Sequence, residues 1–119
     1  MAHSEKAQDE IKGLTIERKS ATAWITLPDA ISMDDYRQVE KKIDGCLDEK
    51  VEKVVVDLCN TTHMYSSGFG MIVRLKKNVS GRGGDLCLVN VSDKIQDGFE
   101  SVGLQKIVAM YKSADDLDR

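Results

Sequence analysis

Apolar and polar residues alternate along two short runs near the start of the chain, Leu14-Thr15-Ile16-Glu17-Arg18 and Ala21-Thr22-Ala23-Trp24-Ile25-Thr26-Leu27. A period of two puts the apolar positions on one face of a strand, and the polar Lys19-Ser20 pair between the runs predicts a hairpin turn. Pro28 ends the second strand because it has no N–H for a ladder. The period then changes. Tyr36, Val39, Ile43 and Leu47 recur at three- and four-residue steps, predicting a helix over about 33–48 behind a Ser32/Asp35 capping box. Lys53-Val54-Val55-Val56-Asp57-Leu58 is too short and too β-branched for a helix and reads as a buried strand. Gly68, Ile72, Leu75 and Val79 share one face of a second helix, about 66–80, which Gly81-Arg82-Gly83-Gly84 stops.

Leu86-Cys87-Leu88-Val89-Asn90-Val91 is a further buried strand. Ser92 caps a third helix over about 92–102, carrying Ile95, Phe99 and Val102. Lys106–Tyr111 is a last strand, and Ser113 with Asp116 starts a fourth, stub-like helix. A hairpin followed by alternating helices and strands predicts an α/β fold, a mixed sheet of four to five strands covered by about four helices. Residues 1–12 are polar and charged and read as a flexible arm before one domain over 13–119.

Composition narrows the function. The 119 residues hold 17 basic and 20 acidic side chains, a net charge of −3, with no Lys/Arg stripe to meet a phosphate backbone, so nucleic acid is not an expected partner. No stretch resembles a signal peptide and none approaches the roughly 18–20 apolar residues of a membrane span, so the expectation is a cytoplasmic protein without direct membrane insertion. Cys46, Cys59 and Cys87 are widely and irregularly spaced, and only His3 and His63 accompany them. That pattern predicts free, mostly buried thiols, with no metal site, disulfide or cofactor.

The chemistry concentrates where the third strand hands over to the second helix. A serine at a helix N-terminus lies beside unpaired N–H groups and the positive end of the helix dipole, which makes Ser66 a candidate switch. A phosphate there carries about −1.5 to −2 charges and suits the helix. Buried against a partner, the same dianion would cost several kcal/mol, roughly, and expel it. Ser66 as a plain N-cap, worth roughly 1 kcal/mol, is the other reading. Thr61, Thr62, His63, Met64 and Tyr65 precede it on a loop, and Ser67, Gly68 and Phe69 follow, an expected partner-binding surface. Asp57 at the strand end is placed to bond loop N–H groups. Asp57, His63 and Ser66 are triad residue types, but no Gly-x-Ser-x-Gly elbow surrounds the serine, so no enzyme is expected. Gly81-Arg82-Gly83-Gly84 precedes a strand rather than a helix and is not a phosphate loop.

Three features together resemble the STAS family over about residues 13–118: the element order, the step from Val54-Val55-Val56-Asp57-Leu58 to Tyr65-Ser66-Ser67-Gly68-Phe69-Gly70, and Val102-Gly103-Leu104 before the last strand with a Ser-Asp-Asp cap after it. Family members typically carry Asp-Ser-Ser-Gly at the second step, so Tyr65 stands where an acid is usual. The resemblance implies an anti-sigma-factor antagonist that acts by partner switching. Ser66 would be phosphorylated by an anti-sigma factor with serine kinase activity of the GHKL type, and a serine phosphatase would reset it. The alternative it leaves is a STAS scaffold subunit of a signalling assembly or a lipid-transport complex, with no phosphate cycle.

Overall fold

The structure is a computed structural model that describes residues 11–29, 31 and 35–117. Strands β1 (Thr15–Lys19), β2 (Thr22–Thr26), β3 (Lys53–Asp57), β4 (Asp85–Val89) and β5 (Ala109–Met110) form one sheet in chain order. β1 runs antiparallel to β2, and the remaining neighbours are parallel, so the sheet is mixed. The hairpin turns one residue later than the polar pair implies: Lys19 ends β1 opposite Thr22, and Ser20 takes a positive φ of 57°.

Period-two alternation decides which side of the sheet each residue serves. Ala23, Ile25, Val54, Val56, Leu86 and Leu88 join the main core. Helices α1 (Tyr36–Cys46), α2 (Ser66–Gly81) and α3 (Asp93–Ser101) cover them with Tyr36, Val39, Ile43, Met71, Ile72, Leu75, Val79, Ile95 and Phe99. Val55, Cys87 and Val89 belong to a smaller cluster with Trp24, Tyr111, Ala114 and Leu117. The helical face expected for α1 is therefore buried in full, with Leu47 just past the helix end. Ile11, four residues ahead of β1, packs against the main core.

Four expectations change. The described part of the first helix begins at Tyr36 with Asp35 as N-cap, and no side-chain cap bond forms there; Ser32, the expected cap, lies outside the described residues, as do positions 1–10 of the arm. The last strand shrinks to Ala109–Met110, because Gly103 at φ 78° turns the chain into a 3-10 turn at Leu104–Lys106. The stub after Ser113 is a 3-10 turn, Ala114–Asp116, in which the Ser113 hydroxyl accepts from Asp115 N–H. Among the described residues, three α-helices and two 3-10 turns thus stand where four helices were expected. Two of the three thiols, Cys46 and Cys59, are exposed, since one sits in the last turn of α1 and the other opens a loop; only Cys87 is buried.

Parallel registers bring the carboxyl ends of β2, β3 and β4 level, with Thr26 opposite Asp57 and Asp57 opposite Val89. The segments that leave those ends therefore gather along one rim, where ligands and partners of open α/β sheets commonly sit.

Candidate functional site

Asp57 anchors that rim. It is the last residue of β3 and only 8% exposed. Its Oδ1 accepts from the Cys59 N–H and from Asn90 Nδ2, each at 2.9 Å, and its Oδ2 accepts from Trp24 Nε1 at 3.1 Å. Burial pushes this carboxyl up, but the bonds from Asn90, Cys59 and Trp24 outweigh it and hold the group below the usual carboxylate range. One ionised side chain therefore ties β2, β4 and the start of the loop to β3. The expected bond to the loop backbone is present, and sequence gave no sign of the other two partners.

The loop that follows is pinned on its inner side. Thr61, expected on the exposed surface, is 4% exposed, and its hydroxyl donates to the Pro28 carbonyl at 3.0 Å. It works as a strut between two rim segments, its hydroxyl buried rather than presented at the surface. Thr62 is exposed; its N–H and its hydroxyl both donate to Asp29 Oδ1, at 3.2 and 2.6 Å. The Thr62 hydroxyl and then its N–H lower the pKa of Asp29. His63 is exposed, and its Nδ1 lies 2.9 Å from the Thr62 carbonyl, which makes that nitrogen the donor. Its bond is made within the loop rather than toward Ser66.

Helix α2 then begins. Tyr65 is the N-cap in extended geometry, φ −84° and ψ 167°, and Ser66 is the first helical residue, so the N-cap reading of Ser66 is displaced by one position. The Tyr65 carbonyl accepts from Gly68 and Phe69 N–H at 2.8 and 3.2 Å. Ser66 itself is exposed, at the positive end of a 16-residue helix whose first turn holds no acid. Ser67 points its hydroxyl inward, where it has no hydrogen-bond partner among the described residues. Gly68 is buried because the helix start lies on α1: a Cβ there would stand 2.6 Å from Met64 Cγ and 2.7 Å from the Tyr36 ring. Burial raises the Tyr36 hydroxyl's pKa, against a backbone bond from Tyr65.

Beside Ser66 the surface is apolar. Tyr65 is 50% exposed, and Met64 and Phe69 are half-buried. Phe69 meets Phe99 of α3 edge-on, ring centroids 4.7 Å apart at 66°. Between loop and α3 lies a groove of about 320 Å³, with His63, Met64, Tyr65, Phe69, Lys94 and Gly98 in its lining. Of the loop and motif residues singled out in the sequence, Thr62, His63, Met64, Tyr65 and Phe69 line this groove, while the α3 side, some thirty positions away, was not among them.

Among the described residues no helix is long and apolar enough to cross a membrane. The family model for the STAS domain matches residues 14–117. Among solved structures, an anti-sigma factor antagonist from Mycobacterium paratuberculosis superposes with a TM-score of 0.77 at 18% identity, covering 91% of each chain. The Bacillus anti-sigma factor antagonist SpoIIAA, in its unphosphorylated form, gives 0.71 at 20% identity, covering 82% of this chain and 86% of its own. The murine anion transporter Slc26a9 matches at 0.74 and 10% identity over 97% of this chain but 23% of the transporter. At such identities these likenesses establish the shared fold.

Proposed function

This chain belongs to the STAS domain family, and on that premise we propose that it is an anti-sigma-factor antagonist working by partner switching. Unphosphorylated, it binds an anti-sigma factor with serine kinase activity through the rim formed by residues 62–65 and the start of α2. The kinase transfers phosphate to Ser66, the complex separates, and a serine phosphatase restores the binding form. The catalytic groups and ATP belong to the partner, and the isolated domain is not an enzyme.

The observation that carries this reading is the placement of Ser66, an exposed hydroxyl at the N-terminus of a long helix, beside an exposed aromatic and an apolar groove. The helix tolerates phosphate there, since backbone N–H groups and the dipole favour an anion by about 0.3–1 kcal/mol. A dianion trapped in an interface costs several kcal/mol, roughly, so release wins over retention. The likeness to SpoIIAA and to the Mycobacterium antagonist supports the same assignment.

The test is phosphate mapping. Incubation with a purified GHKL-type serine kinase partner and ATP is expected to add one phosphate, located at Ser66 by mass spectrometry, and Ser66→Ala is expected to abolish it. Label on Thr62 with Ser66→Ala fully modified would move the switch into the loop. Tyr65 favours a second reading: in place of the acid usual beside a switching serine, it presents a large aromatic half in solvent. A STAS scaffold subunit of a signalling assembly or a lipid-transport complex would use that surface without a phosphate cycle, and would take up no label.

A further inference from the structure

Lys94 and Gly98 have no part in the serine motif, yet both line the groove beside it. They lie four residues apart on α3 and so share one helix face. Gly98 has a steric reason to be glycine: a Cβ there would stand 2.9 Å from Phe69 Cζ, closer than carbon atoms approach without something shifting. Its absence lets the Phe69 ring lie across α3, edge-on to Phe99, as the groove's apolar floor. Glycine inside a helix is otherwise unfavourable, so this position trades helix stability for the shape of the groove.

Lys94 supplies the sign. It is exposed, and it is the one acid or permanent cation among the groove's lining residues. The neighbouring Asp93 is engaged by Lys112 at 3.0 Å, and the first turn of α2 holds no acid. The groove thus has an apolar floor, a cation on its α3 side and, on its loop side, the Asp29 carboxylate already bonded to Thr62, and through Tyr65 it is continuous with the Ser66 surface.

We propose that this groove receives an apolar anchor side chain of the kinase partner, flanked by an acidic residue that meets Lys94. The assignment rests on the partner-switching reading and adds a second element, α3, to the interface. It also gives release a direct cause: a phosphate on Ser66 brings negative charge to the rim where the partner's acid sits.

The test is the affinity of a purified GHKL-type serine kinase partner for wild type, Lys94→Glu, Lys94→Arg and Gly98→Ala, at low and high salt, with circular dichroism confirming the fold of each. Lys94→Glu is expected to weaken binding by about tenfold or more at low salt, the gap narrowing as salt is raised. Lys94→Arg, which keeps the charge, stays close to wild type. Gly98→Ala drives the Phe69 ring toward the groove and weakens binding at both salt levels. Lys94→Glu binding as tightly as wild type at low salt, while Ser66→Asp still dissociates, would overturn the groove and leave the switch standing. A wild-type protein that binds no such kinase would overturn both.

Discussion

Asp57 shows at the scale of one residue how this protein fixes the rim at the carboxyl ends of its parallel strands. Three donors from three segments converge on a carboxylate that is almost fully buried. Asp57→Ala would leave the Trp24, Asn90 and Cys59 donors without it, and is expected to cost about 3 kcal/mol in urea unfolding. Asn removes the charge while keeping the shape, which makes it the better probe of pH. The folded pKa of Asp57 lies below its unfolded value, so the stability it contributes is present above about pH 4 and is lost as pH falls through the folded value. The stability difference between wild type and Asp57→Asn should therefore be full near neutrality and shrink on acidification below pH ~4. A difference that grows on acidification would contradict the assignment. Asp57 was legible as a loop anchor because a short acid at a strand end commonly bonds the next N–H groups. Its partners Trp24 and Asn90, and the bond from Thr61 to Pro28, were not legible. Each spans 33 residues, and no local pattern encodes such a pairing.

At the scale of elements, the helix starts decide what is presented. Gly68 allows α2 to begin against Tyr36 and Met64, where a Cβ would collide with a rigid buried ring. Gly68→Ala is expected to lower stability by about 1–3 kcal/mol from overpacking, despite the gain in helix propensity. Gly45 of α1 is the internal control, because nothing lies within 4 Å of an added Cβ there. Gly45→Ala should be neutral or stabilising, by up to about 1 kcal/mol. Thermal or urea unfolding of the two variants checks both signs. Periodicity read these helices well: the apolar faces of α1 and α2 are those the three- and four-residue spacing marks. The start of α2 at Ser66 also holds, with Tyr65 rather than Ser66 as its cap, whereas the last strand keeps only Ala109–Met110 because the positive φ of Gly103 leads into a 3-10 turn at Leu104–Lys106 and a bend before the sheet. The α3 half of the groove left only one sequence sign, a glycine inside an otherwise regular helix.

For the whole molecule, the sheet sets the arrangement. Parallel β2, β3 and β4 end level, so the struts at Thr61 and Thr62 and the starts of α2 and α3 form one continuous rim. Under the proposed switch this rim binds a kinase, and phosphate on Ser66 breaks the complex without disturbing the fold. Ser66→Asp should accordingly unfold at the same denaturant concentration as wild type or slightly higher, a carboxylate at a helix N-terminus being neutral or favourable. The most direct measurement is titration calorimetry of the kinase partner against the unphosphorylated protein and against the same protein phosphorylated on Ser66. Phosphorylation is expected to lower the affinity about tenfold or more, about 1.4 kcal/mol and upward, with unchanged circular dichroism. Equal affinity of the two forms, each fully folded, would contradict it.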